Sequence, residues 1–355
     1  MKESIIITGA SGLIGSQCVD FFSKLGFEVV GIDNDMRSHF FGKNASTKKV
    51  GRELEKKYKN YELVDCDIRD KREIGFLFRR VSLKNIKAII HTAAQPSHDW
   101  AAKDPMMDWD INANGTMVLL EAFRNNCPEA SFIFTSTNKV YGDTPNNLNF
   151  IEHEKRYECC EIGVVLHSIS EKMSIDNSIH SVFGASKVAA DVMVQEYGKY
   201  FGLNTVCFRG GCLTGPRHQG AELHGFLSYL IKQMVHNGDY TVFGYKGKQV
   251  RDNIHSYDLV NAFWYYIQSP SPGEVYNMGG GRGNDVSILE VIDYVNDKLE
   301  TNWEPNFSAK ARIGDHRWYV SNLRKFKTHY PNWNITISVF DIIDEIIEME
   351  LAKCS

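Results

Sequence analysis

The chain has 355 residues, of which 43% are hydrophobic and 24% are charged, with only 9 prolines. This length suits one or two joined domains, and this composition fills a globular core, so disordered, collagen-like and coiled-coil structures are excluded. The 40 basic and 44 acidic side chains give a formal charge of -4, which provides no general attraction for nucleic acids. No apolar run reaches the roughly 20 residues that cross a bilayer, and no signal sequence is evident, so we expect a cytoplasmic protein with neither a membrane nor a nucleic-acid partner.

The first two hundred residues alternate short strand-like runs with helical patterns. Strands are predicted at residues 4–8, 28–32, 61–64, 88–92, 132–135 and 205–208. Crossover helices are predicted at residues 15–25 and 115–125. Short, continuously apolar strands joined by helices indicate a parallel sheet covered on both faces. The predicted fold class is therefore α/β, with a Rossmann-type doubly wound parallel sheet.

The alternation ends after Arg209, where glycine-punctuated loops appear. We therefore predict an NAD-binding Rossmann domain over residues 1–209, with returns to it near 248–280. Residues 210–247 and 281–355 are predicted to form a smaller, mixed, substrate-binding lobe.

Cysteine and metal chemistry are not indicated by the pattern of residues. The eight cysteines contain no C-x-x-C pair, and several lie in apolar runs, so we expect reduced thiols. No cluster of His, Cys and acidic residues has metal-ligand spacing, which predicts metal-free chemistry.

Directly after the first predicted strand, glycines recur at Gly9, Gly12 and Gly15 as a helix begins. This spacing gives a tight turn, lets backbone N–H groups approach a pyrophosphate, and permits close packing of helix on strand. Asp33 ends the second strand, where a carboxylate accepts hydrogen bonds from a ribose diol and repels a 2′-phosphate. The pattern favours NAD as the cofactor. NADP is the alternative, because Arg37 lies close to Asp33 in the sequence.

Further stretches occur in a fixed order along the chain. They are T-G-A-S-G-L-I-G at 8–15, H-T-A-A at 91–94, N-A-N-G-T at 112–116, S-T-N-K-V-Y-G at 136–142, F-G-A-S-K at 183–187 and R-D-N-I-H at 251–255. Together they resemble the extended short-chain dehydrogenase/reductase family of nucleotide-sugar epimerases and dehydratases. The stretches at 137–143 and 247–252 are most similar to the branch that inverts C2 of a CDP-linked 3,6-dideoxyhexose.

The resemblance implies an NAD-dependent isomerase of carbohydrate biosynthesis, such as that of lipopolysaccharide, acting on a nucleotide-diphosphate sugar. It also implies a homodimer formed through the helices that begin near Asn112 and Phe183. The implied cofactor-binding residues are Gly9, Ser11, Gly12, Leu13, Ile14, Gly15, Asp33, Asn34, Arg37, Asp67, Ile68, Thr92, Ala93, Ala94, Asn112, Thr135, Lys187 and Gly210. For Asp67, an ordinary turn aspartate is the alternative. The implied substrate-binding residues are Gln95, Thr137, Asn138, Lys139, Gly211, His224, Arg251 and Arg317.

Members of the family oxidise a sugar hydroxyl with a Tyr in Y-x-x-x-K, the Lys of that motif, and a Thr or Ser. Here Thr137 and Lys187 match, but the tyrosine position is Phe183. Phenylalanine has no ionisable oxygen, and loss of general acid–base catalysis typically costs ~10²–10⁴ in rate. Three explanations compete: an engineered substitution, a substitute base, or a protein that binds ligands without turning them over.

Three residues in or beside the motifs are candidate substitute bases: Tyr141, which we include in the predicted catalytic set, His180 and Cys212. Each also has a structural interpretation, as a packed aromatic, a loop hydrogen bond and a wall residue respectively.

The substrate side of the motifs carries its own predictions. Family dehydratases have an acidic pair directly after the Thr, and here Asn138 and Lys139 replace it, which disfavours elimination of water. Arg251 suits a diphosphate because a guanidinium binds phosphate oxygens in a bidentate fork, and Arg317 resembles a second phosphate or ribose contact. A surface ion pair is the alternative for both arginines. The alternative functions are 4-epimerisation or reduction of a UDP- or dTDP-sugar, and a catalytically silent binding protein.

Overall fold

The computed structural model describes residues 3–82, 85–163, 168–217, 225–311 and 314–353. Its strands are β1 (Ser4–Thr8), β2 (Glu28–Ile32), β3 (Tyr61–Val64), β4 (Ile86–His91), β5 (Ser131–Thr137), β6 (Phe150–Glu152), β7 (Tyr157–Cys159), β8 (Asn204–Gly210), β9 (Cys212–Thr214), β10 (Thr241–Phe243), β11 (Val250–His255), β12 (Glu274–Met278), β13 (Asp285–Ser287), β14 (Asn306–Ser308) and β15 (Trp318–Tyr319). Its α-helices are α1 (Leu13–Lys24), α2 (Met36–Phe41), α3 (Lys48–Lys57), α4 (Lys71–Ser82), α5 (His98–Lys103), α6 (Pro105–Trp109), α7 (Gly115–Asn126), α8 (Ser181–Phe201), α9 (Phe226–Val235), α10 (Ser256–Gln268), α11 (Ile288–Leu299), α12 (Arg324–His329) and α13 (Val339–Leu351).

The first of two compact units contains a seven-stranded sheet with the order β12-β8-β5-β4-β1-β2-β3, which confirms the predicted Rossmann-type α/β fold. Strand β1 pairs in parallel with β2 on one side and with β4 on the other. The strand order therefore reverses beside β1, and in doubly wound sheets ligands bind at the carboxyl ends of the strands at such a reversal. Every residue of β1 is buried, as expected for a strand covered on both faces.

The second unit comprises Asn138–Ser181, Gly210–Leu259 and Asn277–Ser355. Strand β11 lies between β13 and β15 in a small sheet and also pairs with β9. Helices α9, α11 and α13 supply most of this unit's apolar core. This mixture of helices and short strands agrees with the predicted mixed lobe.

The predicted domain boundaries need two corrections. Residues 138–181 belong to the second unit, because Lys139 donates a hydrogen bond to the Gly314 carbonyl and Tyr141 donates one to the Asn277 side chain. Strand β11 also belongs there, because its pairing partners are β9, β13 and β15 rather than the strands of the large sheet.

A buried ion pair joins β8 to α8 in the first unit. The Arg209 guanidinium lies 2.7 Å from the Asp191 carboxylate, which also accepts a 2.5 Å hydrogen bond from the Ser136 hydroxyl. The Asp191 residue is fully buried and Arg209 is 5% exposed. Removing one partner of such a pair leaves an uncompensated buried charge.

Replacing Asp191 with Ala is therefore expected to lower the free energy of unfolding by about 3–5 kcal/mol. Urea denaturation followed by circular dichroism measures this loss. Glu196→Ala removes an exposed carboxylate from the same helix and serves as the control. Equal stability of the two variants would show that the buried pair contributes little.

Candidate functional site

The turn between β1 and α1 has no room for side chains. Gly9 has a φ of +66°, and a Cβ there would lie 2.8 Å from the Ala93 nitrogen. At Gly15 a Cβ would lie 2.1 Å from the Gly9 carbonyl oxygen, so only glycine lets the helix pack this closely. Gly12 caps α1 without a side-chain hydrogen bond. These positions leave a backbone cradle at the start of a helix, which fits a pyrophosphate.

The first turn of α1 continues this cradle. Leu13 and Ile14 begin the helix, where backbone N–H groups have no carbonyl of the same helix to bind. The Ser11 backbone N–H instead donates a 2.9 Å hydrogen bond to the Asp33 carboxylate. The predicted contacts of these residues with NAD remain predictions, and the geometry around them fits the cofactor.

Asp33 fixes the glycine turn to the end of β2. Besides Ser11, its carboxylate accepts a 2.8 Å hydrogen bond from the Asp35 backbone N–H. Burial raises the pKa of Asp33, against the hydrogen bonds that stabilise its ionised form. Both oxygens of the carboxylate therefore accept hydrogen bonds from the protein, and its predicted contact with a ribose remains a prediction.

The turn after β3 is held together by its own side chains. The Asp67 carboxylate accepts hydrogen bonds from the Arg69 guanidinium, at 2.7 and 3.0 Å, and from the Asn34 amide at 3.1 Å. Burial raises the pKa of Asp67, but the hydrogen bonds and charge of Arg69 outweigh it, so the pKa is lowered overall. Ile68 packs against Gly115 in the core. These contacts match the turn interpretation of Asp67.

Arg37, the residue that made NADP the alternative cofactor, lies on the short helix α2. Its guanidinium carbon lies 4.9 Å from the centroid of the Phe41 ring, and burial lowers the pKa of Arg37. A guanidinium that stacks on an aromatic ring is stabilised there by a cation–π contact.

A buried histidine joins the carboxyl ends of β1 and β4 to α7. His91 lies 2.7 Å from the Thr8 hydroxyl through Nδ1 and 3.0 Å from the Thr116 hydroxyl through Nε2. Because Thr116 donates its proton to the Asn112 carbonyl, we assign the imidazole proton to Nε2. Burial, aided by the charge of Lys187, lowers the pKa of His91 to about 3. His91 is thus a neutral histidine with a structural role. It lies in the H-T-A-A stretch, but no role was predicted for it.

The H-T-A-A stretch begins at His91 and continues along the chain. The Thr92 hydroxyl donates to the Thr8 carbonyl at 2.7 Å, and the Ala93 N–H donates to the Thr8 hydroxyl at 3.2 Å. The stretch containing Thr92, Ala93 and Ala94 therefore lies against the β1–α1 turn, since Gly9 also approaches Ala93 closely.

Three of the predicted catalytic residues belong to the first unit. Thr137 ends β5, while Phe183 and Lys187 lie one turn apart on α8. The Lys187 ammonium donates to the Thr135 carbonyl at 2.9 Å and lies 4.1 Å from the centroid of the Phe134 ring. Burial lowers the pKa of Lys187 to about 8. A cation is therefore held at the end of β5.

The lowered pKa of Lys187 predicts a pH effect on stability. Between pH 8 and 10.5 the folded protein has released a Lys187 proton that the unfolded chain still binds, so stability rises with pH across this window. In Lys187→Met this contribution is absent. Urea unfolding of both proteins at several pH values measures the difference, and parallel pH dependences would contradict the lowered pKa.

A buried polar network holds the loop after β4 against α8. The Gln95 side-chain amide donates to the Asp108 carboxylate and to the Ser97 carbonyl, and its oxygen accepts from the Ser97 N–H. The Asn112 amide donates to Asp108 at 3.0 Å, and Ser186 donates to the same carboxylate at 2.6 Å. Burial raises the pKa of Asp108.

This network includes the side chains of two predicted site residues. Gln95 is 1% exposed and Asn112 is 2% exposed, and the polar atoms of both side chains bind protein partners. The side chains of Gln95 and Asn112 therefore support the loop, and their predicted contacts with substrate and NAD remain predictions. Asp108 and Ser186 complete the network but were not predicted as site residues. Asp108 lies outside the quoted motifs, and Ser186, within F-G-A-S-K, gives no signal of its buried partner.

The three candidate substitute bases belong to the second unit, and each has a structural role there. Tyr141 is fully buried and its hydroxyl donates to the Asn277 side chain at 2.7 Å, which matches its structural interpretation as a packed aromatic. His180 lies 2.8 Å from the Ile175 carbonyl. Burial raises the pKa of the Cys212 thiol to about 12, so it is not a thiolate near neutral pH.

The second unit also contains a cluster of charged side chains. The Arg251 guanidinium binds the Asp315 carboxylate and the His316 carbonyl. Lys139 donates to the Gly314 carbonyl at 2.7 Å, and burial lowers the pKa of Lys139 to about 8. Arg251 is thus buried and paired with Asp315, so it is not a surface ion pair, and its predicted contact with a phosphate remains a prediction. Two cations share one carboxylate in this cluster.

The other predicted substrate contacts are more dispersed. Arg317 is exposed and lies over the Tyr245 ring at 5.9 Å. Gly211 is needed for packing, because a Cβ there would lie 2.6 Å from the Asp252 carboxylate. Gly210 ends β8, Asn138 is buried in the turn after β5, and His224 lies outside the described residues.

Within the described ranges, no group of three His, Cys, Asp or Glu side chains can hold a metal ion. The same ranges contain no helix that is long and apolar enough to span a membrane.

The sheet reversal, the glycine cradle and the lysine on α8 define an α/β enzyme of the dinucleotide-binding class. The model of the NAD-dependent epimerase/dehydratase family matches residues 5–279, and the chain belongs to that family, with NAD as its cofactor. It is 30% identical over 352 residues to CDP-paratose 2-epimerase of Salmonella typhi, covering 97% of this chain and 98% of the relative. It is 27% identical to dTDP-glucose 4,6-dehydratase of Escherichia coli, covering 83% and 76%.

Solved structures share the fold. The UDP-glucose 4-epimerase of Thermus thermophilus, in complex with NAD, is 23% identical with a TM-score of 0.75, covering 98% of this chain and 99% of that one. A tyrosine-to-phenylalanine variant of the Bacillus cereus UDP-glucuronic acid 4-epimerase is 24% identical with a TM-score of 0.79, covering 99% of each chain. That variant is in complex with UDP-4-deoxy-4-fluoro-glucuronic acid and NAD.

Proposed function

We propose that this enzyme inverts C2 of a CDP-linked 3,6-dideoxyhexose, such as CDP-paratose. The observation that carries this proposal is the similarity to CDP-paratose 2-epimerase over 97% of the chain. The residues after Thr137 agree with it. Asn138 and Lys139 cannot replace an acidic pair in eliminating water, whereas epimerisation requires only that the sugar be oxidised and reduced again.

Different residues of the first unit have different roles in this reaction. NAD, when bound, accepts a hydride from the sugar and returns it. The glycine cradle from Gly9 to Gly15 holds the pyrophosphate, and Asp33 accepts hydrogen bonds from a ribose. Lys187 supplies positive charge at the end of β5 that stabilises a developing alkoxide, and Thr137 orients the reacting hydroxyl.

The charged cluster of the second unit supports binding of the substrate diphosphate. Lys139 and Arg251 carry two positive charges, and Asp315 carries one negative charge. The excess positive charge of a buried cluster attracts phosphate oxygens more strongly than an exposed pair does, because water screens it less. Arg251 retains N–H donors beyond those that bind Asp315, His316 and its own chain.

A panel of nucleotide sugars tests the proposed function. The enzyme with NAD is incubated with CDP-paratose, UDP-glucose and dTDP-glucose, and the products are followed by NMR. Inversion at C2 of the CDP-sugar is expected. Inversion at C4, with C2 unchanged, would instead assign the enzyme to the 4-epimerases.

The same assay separates an active enzyme from a silent binding protein. Phe183→Tyr restores the hydroxyl that the family pattern places on α8. Turnover by the parent protein is expected without this change. A parent that binds NAD and CDP-sugar but turns over only as Phe183→Tyr would be a binding protein silenced at this position.

We also propose that the protein is a homodimer formed through the helical segment near Asn112, which α6 directly precedes, and through α8, which begins near Phe183. Met106 and Trp109 on α6 are 70% and 44% exposed, and Val182 and Val192 on α8 are 40% and 38% exposed. Large exposed apolar side chains on neighbouring elements are typical of protein interfaces.

Val192→Glu is therefore expected to give a monomer, while the unaltered protein has the mass of a dimer in light scattering after size-exclusion chromatography. Phe76→Glu is the control, because Phe76 is 65% exposed on α4, away from these helices in sequence. A monomeric unaltered protein would refute the dimer.

A further inference from the structure

A stretch of backbone in the second unit, residues 314–317, is bound through each of its carbonyl groups. The four successive carbonyls accept hydrogen bonds from four different residues. The donors are the Lys139 ammonium at 2.7 Å, the Asn146 side-chain amide at 2.8 Å, the Arg251 guanidinium, and the Val250 backbone N–H at 2.9 Å. Two of these donors, Lys139 and Arg251, are the cations that we propose to bind the substrate diphosphate.

Asn146 differs from the other donors because it binds the segment twice. Its amide nitrogen donates to the Asp315 carbonyl at 2.8 Å, and its side-chain oxygen accepts a hydrogen bond from the Arg317 backbone N–H at 2.8 Å. These partners fix the orientation of the amide, because a carbonyl can only accept and a backbone N–H can only donate. One side chain therefore bridges the residues on either side of His316, whose own carbonyl binds Arg251.

The 314–317 segment in turn holds the Arg251 guanidinium. Arg251 donates to the His316 carbonyl and to the Asp315 carboxylate. Its side chain is 10% exposed, so these hydrogen bonds are largely shielded from water. Because both acceptors belong to the same short segment, a shift of that segment moves the guanidinium or breaks its hydrogen bonds.

The segment also meets the part of the chain that carries Lys139. Lys139 lies in the turn after β5, and Asn146 follows in the short helix Thr144–Asn147. Between them, the Gly142 carbonyl lies 2.8 Å from Nε2 of His316. Residues 139–146 and 314–317 are thus joined at three points along their length. The two cations come from different elements, and the 314–317 segment contacts both of them.

We propose that Asn146 is a positioning residue for the binding of the nucleoside diphosphate. By bridging Asp315 and Arg317, it fixes the segment against which Lys139 and Arg251 are held, and so maintains the spacing of the two cations. Asn146 acts through these residues and needs no contact with the ligand. The inference rests on the proposed function in taking Lys139 and Arg251 as the residues that bind the diphosphate.

Calorimetry tests this role without relying on turnover. CDP is titrated into the protein with NAD bound, and NAD is titrated separately. Asn146→Ala is expected to raise the Kd for CDP by about tenfold, roughly the factor that the loss of one or two net hydrogen bonds produces. The Kd for NAD is expected to stay unchanged, because the glycine cradle belongs to the first unit. Asn147→Ala, at the exposed neighbouring asparagine, is the matched control.

Steady-state kinetics and thermal unfolding separate positioning from a purely structural role. In Asn146→Ala the KM for the nucleotide sugar is expected to rise by the same factor as the Kd for CDP, with kcat and the unfolding temperature unchanged. Equal Kd values for CDP in Asn146→Ala and Asn147→Ala would overturn the inference. Weaker binding of NAD and CDP together with a lower unfolding temperature would also overturn it, because the side chain would then only support the fold.

The proposed function can fail while this inference stands. If the unaltered protein binds UDP or dTDP instead of CDP, the proposed specificity is wrong, and the same two variants titrated with that nucleotide still test Asn146. Binding of CDP without inversion of CDP-paratose would likewise refute the proposed function alone. If none of the three nucleoside diphosphates binds to the unaltered protein, the inference about Asn146 is overturned as well.

Discussion

Lys187→Met is expected to lower kcat by about 10³-fold while leaving the fold intact. The ammonium of Lys187 is 4% exposed and is held against the Thr135 carbonyl at the end of β5. Burial lowers the pKa of Lys187 to about 8 and so opposes its charge, and we expect an apolar side chain of similar length to be tolerated at this position. The expected fall in kcat therefore comes from the chemical step and not from unfolding of the variant.

The measurement is steady-state turnover of the nucleotide sugar together with thermal unfolding. Lys199→Met is the control, because Lys199 lies on the same helix α8 but is exposed. Activity of Lys187→Met within a few-fold of the control would show that the buried cation does not take part in the reaction.

Gly15→Ala is expected to weaken NAD binding by about 10²-fold. A Cβ at this position would lie 2.1 Å from the Gly9 carbonyl oxygen, so α1 must move away from the turn that follows β1. Forced repacking of this kind costs about 1–3 kcal/mol, and here it displaces the backbone groups that form the cradle.

Isothermal titration calorimetry with NAD measures this change. Gly75→Ala, in α4, is the control, since a Cβ there approaches only the flexible end of the Arg79 side chain, at 3.3 Å. An unchanged Kd for NAD in Gly15→Ala would mean that the pyrophosphate is bound elsewhere.

The elements of the first unit were predictable because their signals are local. The apolar run Ser4–Thr8 is fully buried, and the glycines after it lie where backbone crowding requires them. The spacing of Phe183 and Lys187 likewise fixes their positions one turn apart on α8. Such patterns depend on neighbouring residues and on the periods of strands and helices.

Features that depend on distant partners were not predictable. Strand β11, with the sequence Val-Arg-Asp-Asn-Ile-His, is buried throughout although most of its residues are polar. Its Asp252 is accommodated by backbone N–H groups of Gly281 and Ser321, far away in the sequence. The Asp315 carboxylate similarly accepts a hydrogen bond from the Arg251 guanidinium. Hydrophobic patterning contains no information about such pairings.

The contact between the rings of His98 and Phe183 likewise depends on partners that are distant in sequence. The two residues are separated by much of the first unit in sequence, and neither the isolated histidine nor the altered motif indicates the other. Only the fold, through the network around Asp108, brings α5 to α8.

The central claim is that this enzyme inverts C2 of a CDP-sugar by moving a hydride to NAD and back. CDP-paratose carrying deuterium at C2 tests it most directly, with the reaction run in ordinary water and followed by NMR and mass spectrometry. The account predicts a product that is inverted at C2 and retains the deuterium at that carbon. Inversion with loss of deuterium to the solvent, or no inversion at C2, would contradict it.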